Sequence, residues 1–66
     1  MSKEEAIALM MQGVKMTHKH FTSDEWVYIG KNGKYVLEDG VECSALEFWR
    51  WRSDRGWGVD WARWEK

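Results

Sequence analysis

The tetrapeptide Gly30-Lys31-Asn32-Gly33 constrains the chain more than any other feature. Asn and Gly tolerate the left-handed backbone that a tight antiparallel connection needs. The pair is flanked by Trp26-Val27-Tyr28-Ile29 and Lys34-Tyr35-Val36-Leu37. Both flanks are rich in β-branched and aromatic residues that fit a pleated surface, so residues 26–37 read as a β-hairpin. An isolated hairpin is marginal in water. Apolar cover for one of its faces has to come from the remaining residues.

Two segments supply it. Ser2-Lys3-Glu4-Glu5 is a capping box, followed by Ala6, Ile7, Met10 and Met11 at helical spacing and by Gly13 as a left-handed stop, which predicts an amphipathic helix over residues 3–12. Ser44-Ala45-Leu46-Glu47 is a second such box and opens a helix running to about Arg52. Between these, Val14, Met16 and His18 alternate with Lys15 and Thr17 as in a half-buried strand. Residues 21–25 carry a third S/T-x-x-E pattern, read as a single helical turn, and Asp39-Gly40 marks a turn. Residues 57–64 form a last strand, with Trp57, Val59 and Trp61 on one side. The order α-β-β-β-α-β predicts an α+β fold: a four-stranded antiparallel sheet with two short helices packed on one face, in a single domain over residues 1–66.

At 66 residues the core is thin, since a chain this short buries only roughly 60% of the surface its unfolded form exposes. The one cysteine, Cys43, excludes an internal disulfide and fits a reducing compartment. No apolar run is long enough for a bilayer, and the polar, acidic start is unlike a secretory signal. The expectation is a cytoplasmic protein, without cofactor or membrane, that supplements its small core by homo-oligomerisation as a dimer or higher.

Residues 48–64 are the most unusual stretch: five of the six tryptophans lie there, interleaved with all four arginines. Tryptophan offers broad apolar area and arginine a planar cation with a fork of donors, a pairing suited to something flat, anionic or both. On the second helix Ala45, Phe48 and Trp49 share a face, with Leu46 at its edge. Arg52 projects from that apolar side, while Trp51 points away. Either the helix frays and Arg52 snorkels, or Arg52 enters a pocket and Trp51 packs on a partner. Trp57 and Trp61 are placed to reach Trp26 or Tyr28 on the hairpin. Six tryptophans exceed what so small an interior hides, so at least two are expected to keep exposed area.

His18 and His20 form an H-x-H pair, but no Asp, Glu or Cys spacing completes a metal-ligand set. His18 is expected instead as a hydrogen-bonding core or pocket residue. No Gly-rich phosphate loop and no Cys-His or Ser-His pair at a recognised spacing is present, so an enzyme is not expected. The net charge of −1, with Asp54, Asp60 and Glu65 among the arginines, argues against a nucleic-acid polymer as partner.

The layout resembles a family. Glu-Ala near the start of the capped helix, Gly13-Val14-Lys15 at its end, Glu25-Trp26 opening the hairpin, and Ser53-Asp54 followed by Asp60-Trp61 are similar to small phage and prophage proteins. More distantly they resemble the Thoeris anti-defence sponge family. The resemblance spans most of the chain through short motifs, and the chain is shorter than typical members and lacks their central insertion. It implies a helix on a curved antiparallel sheet, oligomers, and capture of cyclic ADP-ribose-type or other nucleotide signals between subunits without chemistry.

On that basis the expected function is phage anti-defence by sequestering a nucleotide immune signal. His18, Trp26, Tyr28, Arg50, Arg52, Trp57, Asp60 and Trp61 are the expected ligand contacts, and Met10, Trp51 and Trp64 the expected subunit contacts. Trp26, Trp57 and Trp61 would stack, Arg50 and Arg52 would hold phosphate, and His18 and Asp60 would meet ribose or base edges. The alternatives are a small inhibitor that binds a host defence protein directly, as anti-CRISPR proteins do, and a housekeeping phage module.

Overall fold

The computed structural model describes residues 1–65. Helix α1 spans Lys3–Met10 and is followed by strand β1 at Met16–His18. The hairpin strands β2 and β3 are Val27–Ile29 and Tyr35–Leu37. A short strand β4, Glu42–Cys43, leads into helix α2 at Ala45–Arg50, a 3-10 turn at Arg55–Gly58 and strand β5 at Trp61–Arg63. The strands form one five-stranded sheet in the order β4-β3-β2-β1-β5, every pairing antiparallel.

Both full capping boxes form as expected. Ser2 Oγ accepts from the Glu5 amide (3.2 Å) while Glu5 accepts from the Ser2 amide (3.1 Å). Ser44 and Glu47 repeat the exchange, each bond at 3.1 Å. The third pattern forms no helix: Glu25 caps the Thr22 amide at 2.7 Å across a plain turn. Eight residues between two strands leave little room to propagate a helix.

The two hairpin loops share one design. In each, a three-residue loop ends on a glycine at positive φ, Gly33 at 83° and Gly40 at 86°. The Asx side chain before that glycine accepts from the amide two residues on, Asn32 from Lys34 and Asp39 from Val41, both at 3.0 Å. The glycine supplies the left-handed residue that lets the strands keep their twist. The second loop is what creates β4, the strand missing from the four-strand expectation. Two residues directly before a helix cap are too few to show an alternating pattern.

The core lies between the helices and one sheet face. Ala6 and Met10 from α1, Phe48 from α2, and Met16, Val27, Ile29, Tyr35 and Trp61 from the sheet are buried together, with His18 beside them. Phe48, Met10, Met16 and Val27 are fully buried, each worth roughly 1.5–3 kcal/mol relative to exposure. Both helices therefore sit on the same face, as the pattern predicts. Met10 is wholly inside, which overturns its assignment as a subunit contact: its position on α1 aims it at the sheet. Ala45 and Leu46, expected on the sheet side of α2, are exposed, Leu46 at 75%. That helix ends at Arg50 and buries only Phe48.

Candidate binding cleft

The last strand is less than half as long as its alternation suggests. Trp57 lies in the 3-10 turn rather than on a strand, and Asp60, with φ of 68°, turns the chain so that Trp61 opens β5. The turn is held from beneath by the sheet. His18 Nε2 sits 2.8 Å from the Gly56 carbonyl and 2.7 Å from the Val59 carbonyl, so its N–H is shared between them. Its Nδ1 accepts from the His20 amide at 3.0 Å, which fixes the Nε2–H tautomer. Trp61 donates its indole N–H to the Trp57 carbonyl at 2.8 Å. His20 packs so close over Gly56 that a β-carbon there would meet its Nε2 at 3.0 Å, and the imidazole would have to shift to admit one.

Above this support opens a cleft of about 310 Å³ lined by His20, Phe21, Glu25, Trp51, Arg52 and Trp57. Arg52 is its distinctive wall. The guanidinium carbon lies 4.3 Å from the Phe48 ring centroid, 5.6 Å from that of Trp57 and 5.9 Å from that of Phe21. Nη1 donates to the Phe48 carbonyl at 2.9 Å, closing the end of α2. Nε is buried and has no hydrogen-bond partner among the described residues. An aromatic nest keeps this cation in place without a described hydrogen bond to a carboxylate.

The expected ligand residues fall into two groups on opposite sides of the sheet. Arg52 and Trp57 line the cleft, with His18 and Trp61 directly behind them, both buried. Trp26 and Tyr28 stack on each other at 5.8 Å on the face away from the helices, where Trp64 joins them. They cannot share a pocket with Trp57 and Trp61, because Val27 and Ile29, their neighbours in the chain, already fill the core face. Arg50 is exposed at the end of α2 and outside the cleft lining, and the exposed Asp60 contributes its carbonyl to the Lys19 amide at 3.3 Å. Trp51 stands at the cleft mouth, 81% exposed. Sequence reasoning missed His20, Phe21 and Glu25 as cleft residues. His20 had a signal as the second half of the H-x-H pair, but Phe21 and Glu25 were visible only as turn residues.

Beside the cleft, burial pushes the Cys43 thiol above its ordinary pKa, Glu47 adds to the rise and Arg52 opposes it. Glu5 and Glu47 are held below the ordinary carboxylate range by the bonds to their capping serines. Among the described residues no group of three His, Cys, Asp or Glu is placed to hold a metal ion, and no helix is long and apolar enough to cross a membrane. Compared with protein-family models, with curated proteins and with solved structures, the chain matches none.

Proposed function

We propose that the chain is a non-catalytic binding protein that sequesters a nucleotide-type small molecule in the Arg52–Trp57 cleft, as a phage would use to silence a nucleotide immune signal. The observation that carries this reading is Arg52: a cation gathered among aromatic rings at a cleft wall, with a buried N–H that no described residue accepts. A guest with an anionic group is attracted by this cation, and a flat ring finds the aromatic wall beside it. Stacking of a base on tryptophan is worth roughly 1–3 kcal/mol, and Trp57 and Trp51 line the cleft together with the cation. The volume is near the lower end of small-molecule sites, which suits a mononucleotide-sized moiety. The anti-defence context rests on the sequence resemblance.

A second reading is favoured by Trp51. An indole 81% exposed at a cleft mouth is also the form of a protein-interface anchor, so the cleft then receives a side chain of a host protein. Calorimetry against nucleoside monophosphates, cyclic nucleotides and cyclic ADP-ribose isomers separates the two. Binding that Arg52→Gln weakens at least about tenfold supports the first reading. No binding across the panel, with a host protein captured only when Trp51 is intact, replaces it with the second.

A further inference from the structure

The molecule measures 27 × 27 × 20 Å; its short dimension is one helix layer on one sheet, at roughly 10 Å per layer. The other sheet face has no layer of its own. Thr17, Tyr28 and Val36 are half-buried there and Ala62 is exposed. Register fixes what this face presents. Tyr28 lies beside Val36 and Val36 beside Glu42. One step past Met16, the same pairings set Lys15 between Tyr28 and Trp64, and the Trp64 amide donates to the Lys15 carbonyl at 2.9 Å. Edge to edge, one row therefore reads Trp64, Lys15, Tyr28, Val36, Glu42. A cation stands toward one edge, an anion at the other, and two uncharged residues lie between.

That row is complementary to itself reversed. We propose that this face pairs with the same face of a second copy, about a two-fold axis running along the strands between β2 and β3. Lys15 then lies against the partner's Glu42, and Tyr28 against the partner's Val36. Two further charges on the face, Lys34 and Glu38, are accommodated by the same rotation. Lys34 falls opposite glycine at position 30, which has no side chain to oppose it. Glu38, which follows Leu37 in the β2–β3 register, falls opposite Trp26, whose indole N–H donates to no described residue. An isologous contact of this kind needs opposite charges at equal distances from the axis, and Lys15 and Glu42 meet that condition. The pairing is independent of what the cleft binds, since the cleft opens on the helix side.

The test is sedimentation or native mass measurement of the full chain over a concentration series. A dimer is expected, and Lys15→Glu and Glu42→Lys, both at exposed positions, each weaken it by about tenfold or more. The double swap restores the dimer to within about threefold, because each charge again meets its opposite. Trp51→Ala leaves it unchanged. Circular dichroism confirms that each variant is folded. A chain that stays monomeric at millimolar concentration overturns the proposal, as does a dimer indifferent to both single swaps. Loss in the singles without recovery in the double also overturns it, since the effect then comes from the Lys15 ammonium leaving its place 4.3 Å over Trp26.

Discussion

The rings of His18 and Trp57 stack 4.2 Å apart at 28°, one buried on β1 and the other forming the wall of the cleft. The same imidazole holds the carbonyls of Gly56 and Val59, so one side chain sets both the path of the 3-10 turn and the plane of Trp57. His18→Ala leaves these carbonyls without their donor and removes the ring beneath the tryptophan. A loss of about 2–4 kcal/mol in urea unfolding is expected. His18→Phe keeps a ring but no donor and should recover only part of it. If His18→Phe equals the parent, the shared hydrogen bond contributes nothing.

Asp60 is the one described non-glycine residue at positive φ, and it marks where the 3-10 segment gives way to β5. Aspartate tolerates this region better than most residues, whereas a β-branched side chain does not. Asp60→Gly should therefore alter stability by less than about 0.5 kcal/mol, with relief of strain offset by a looser unfolded chain. Asp60→Val should cost about 1–2 kcal/mol. Equal thermal midpoints for the two variants would mean that the backbone is free to leave this conformation.

How much of this was legible in the sequence follows from the range of each interaction. The capping boxes, the hairpin and the single-sided helix packing rest on residues three to five apart, and they appear where the pattern places them. The buried His18 was also legible, since its alternation with Met16 puts it on the core side. The cleft was not. It depends on contacts such as His18 with Gly56 and Val59, about forty residues apart, and on Asp60 interrupting an alternation that otherwise reads as one long strand. Trp57 and Trp61 share a period-two parity that the turn at Asp60 makes irrelevant. The separation of Trp26 and Tyr28 from Trp57 was implicit in the alternation, because Val27 and Ile29 need the core face.

The two capping boxes give the fold an acid-sensitive component. Glu5 and Glu47 have folded-state pKa values below their unfolded ones, because each carboxylate accepts hydrogen bonds from its serine. The stability they contribute is complete above the ordinary carboxylate pKa and disappears as pH falls through the depressed value. Glu5→Gln/Glu47→Gln keeps an acceptor at each cap but has nothing to protonate. Thermal midpoints of the double variant should fall less steeply between pH 5 and pH 3, a range set by ordinary carboxylate titration at about pH 4. Parallel curves for parent and variant would place the acid sensitivity elsewhere.

Arg52 offers the sharpest separation of stability from binding. Its buried Nε has no described partner, while Nη1 closes the end of α2 on the Phe48 carbonyl. Arg52→Met retains much of the apolar stem against Phe48 and removes both the unsatisfied group and the cap, opposing effects of about 1 kcal/mol each. Net stability should change by less than about 1 kcal/mol, whereas a charge placed to support the fold would cost several when lost. Cys43 reports the electrostatic change independently. Burial and Glu47 raise its thiol pKa and Arg52 holds it down, so the variant thiol should ionise at higher pH and alkylate more slowly at neutral pH. Unchanged stability, slower alkylation and lost ligand binding together would mark Arg52 as a residue kept for its guest. A large loss of stability would instead make it a structural part of the α2 terminus.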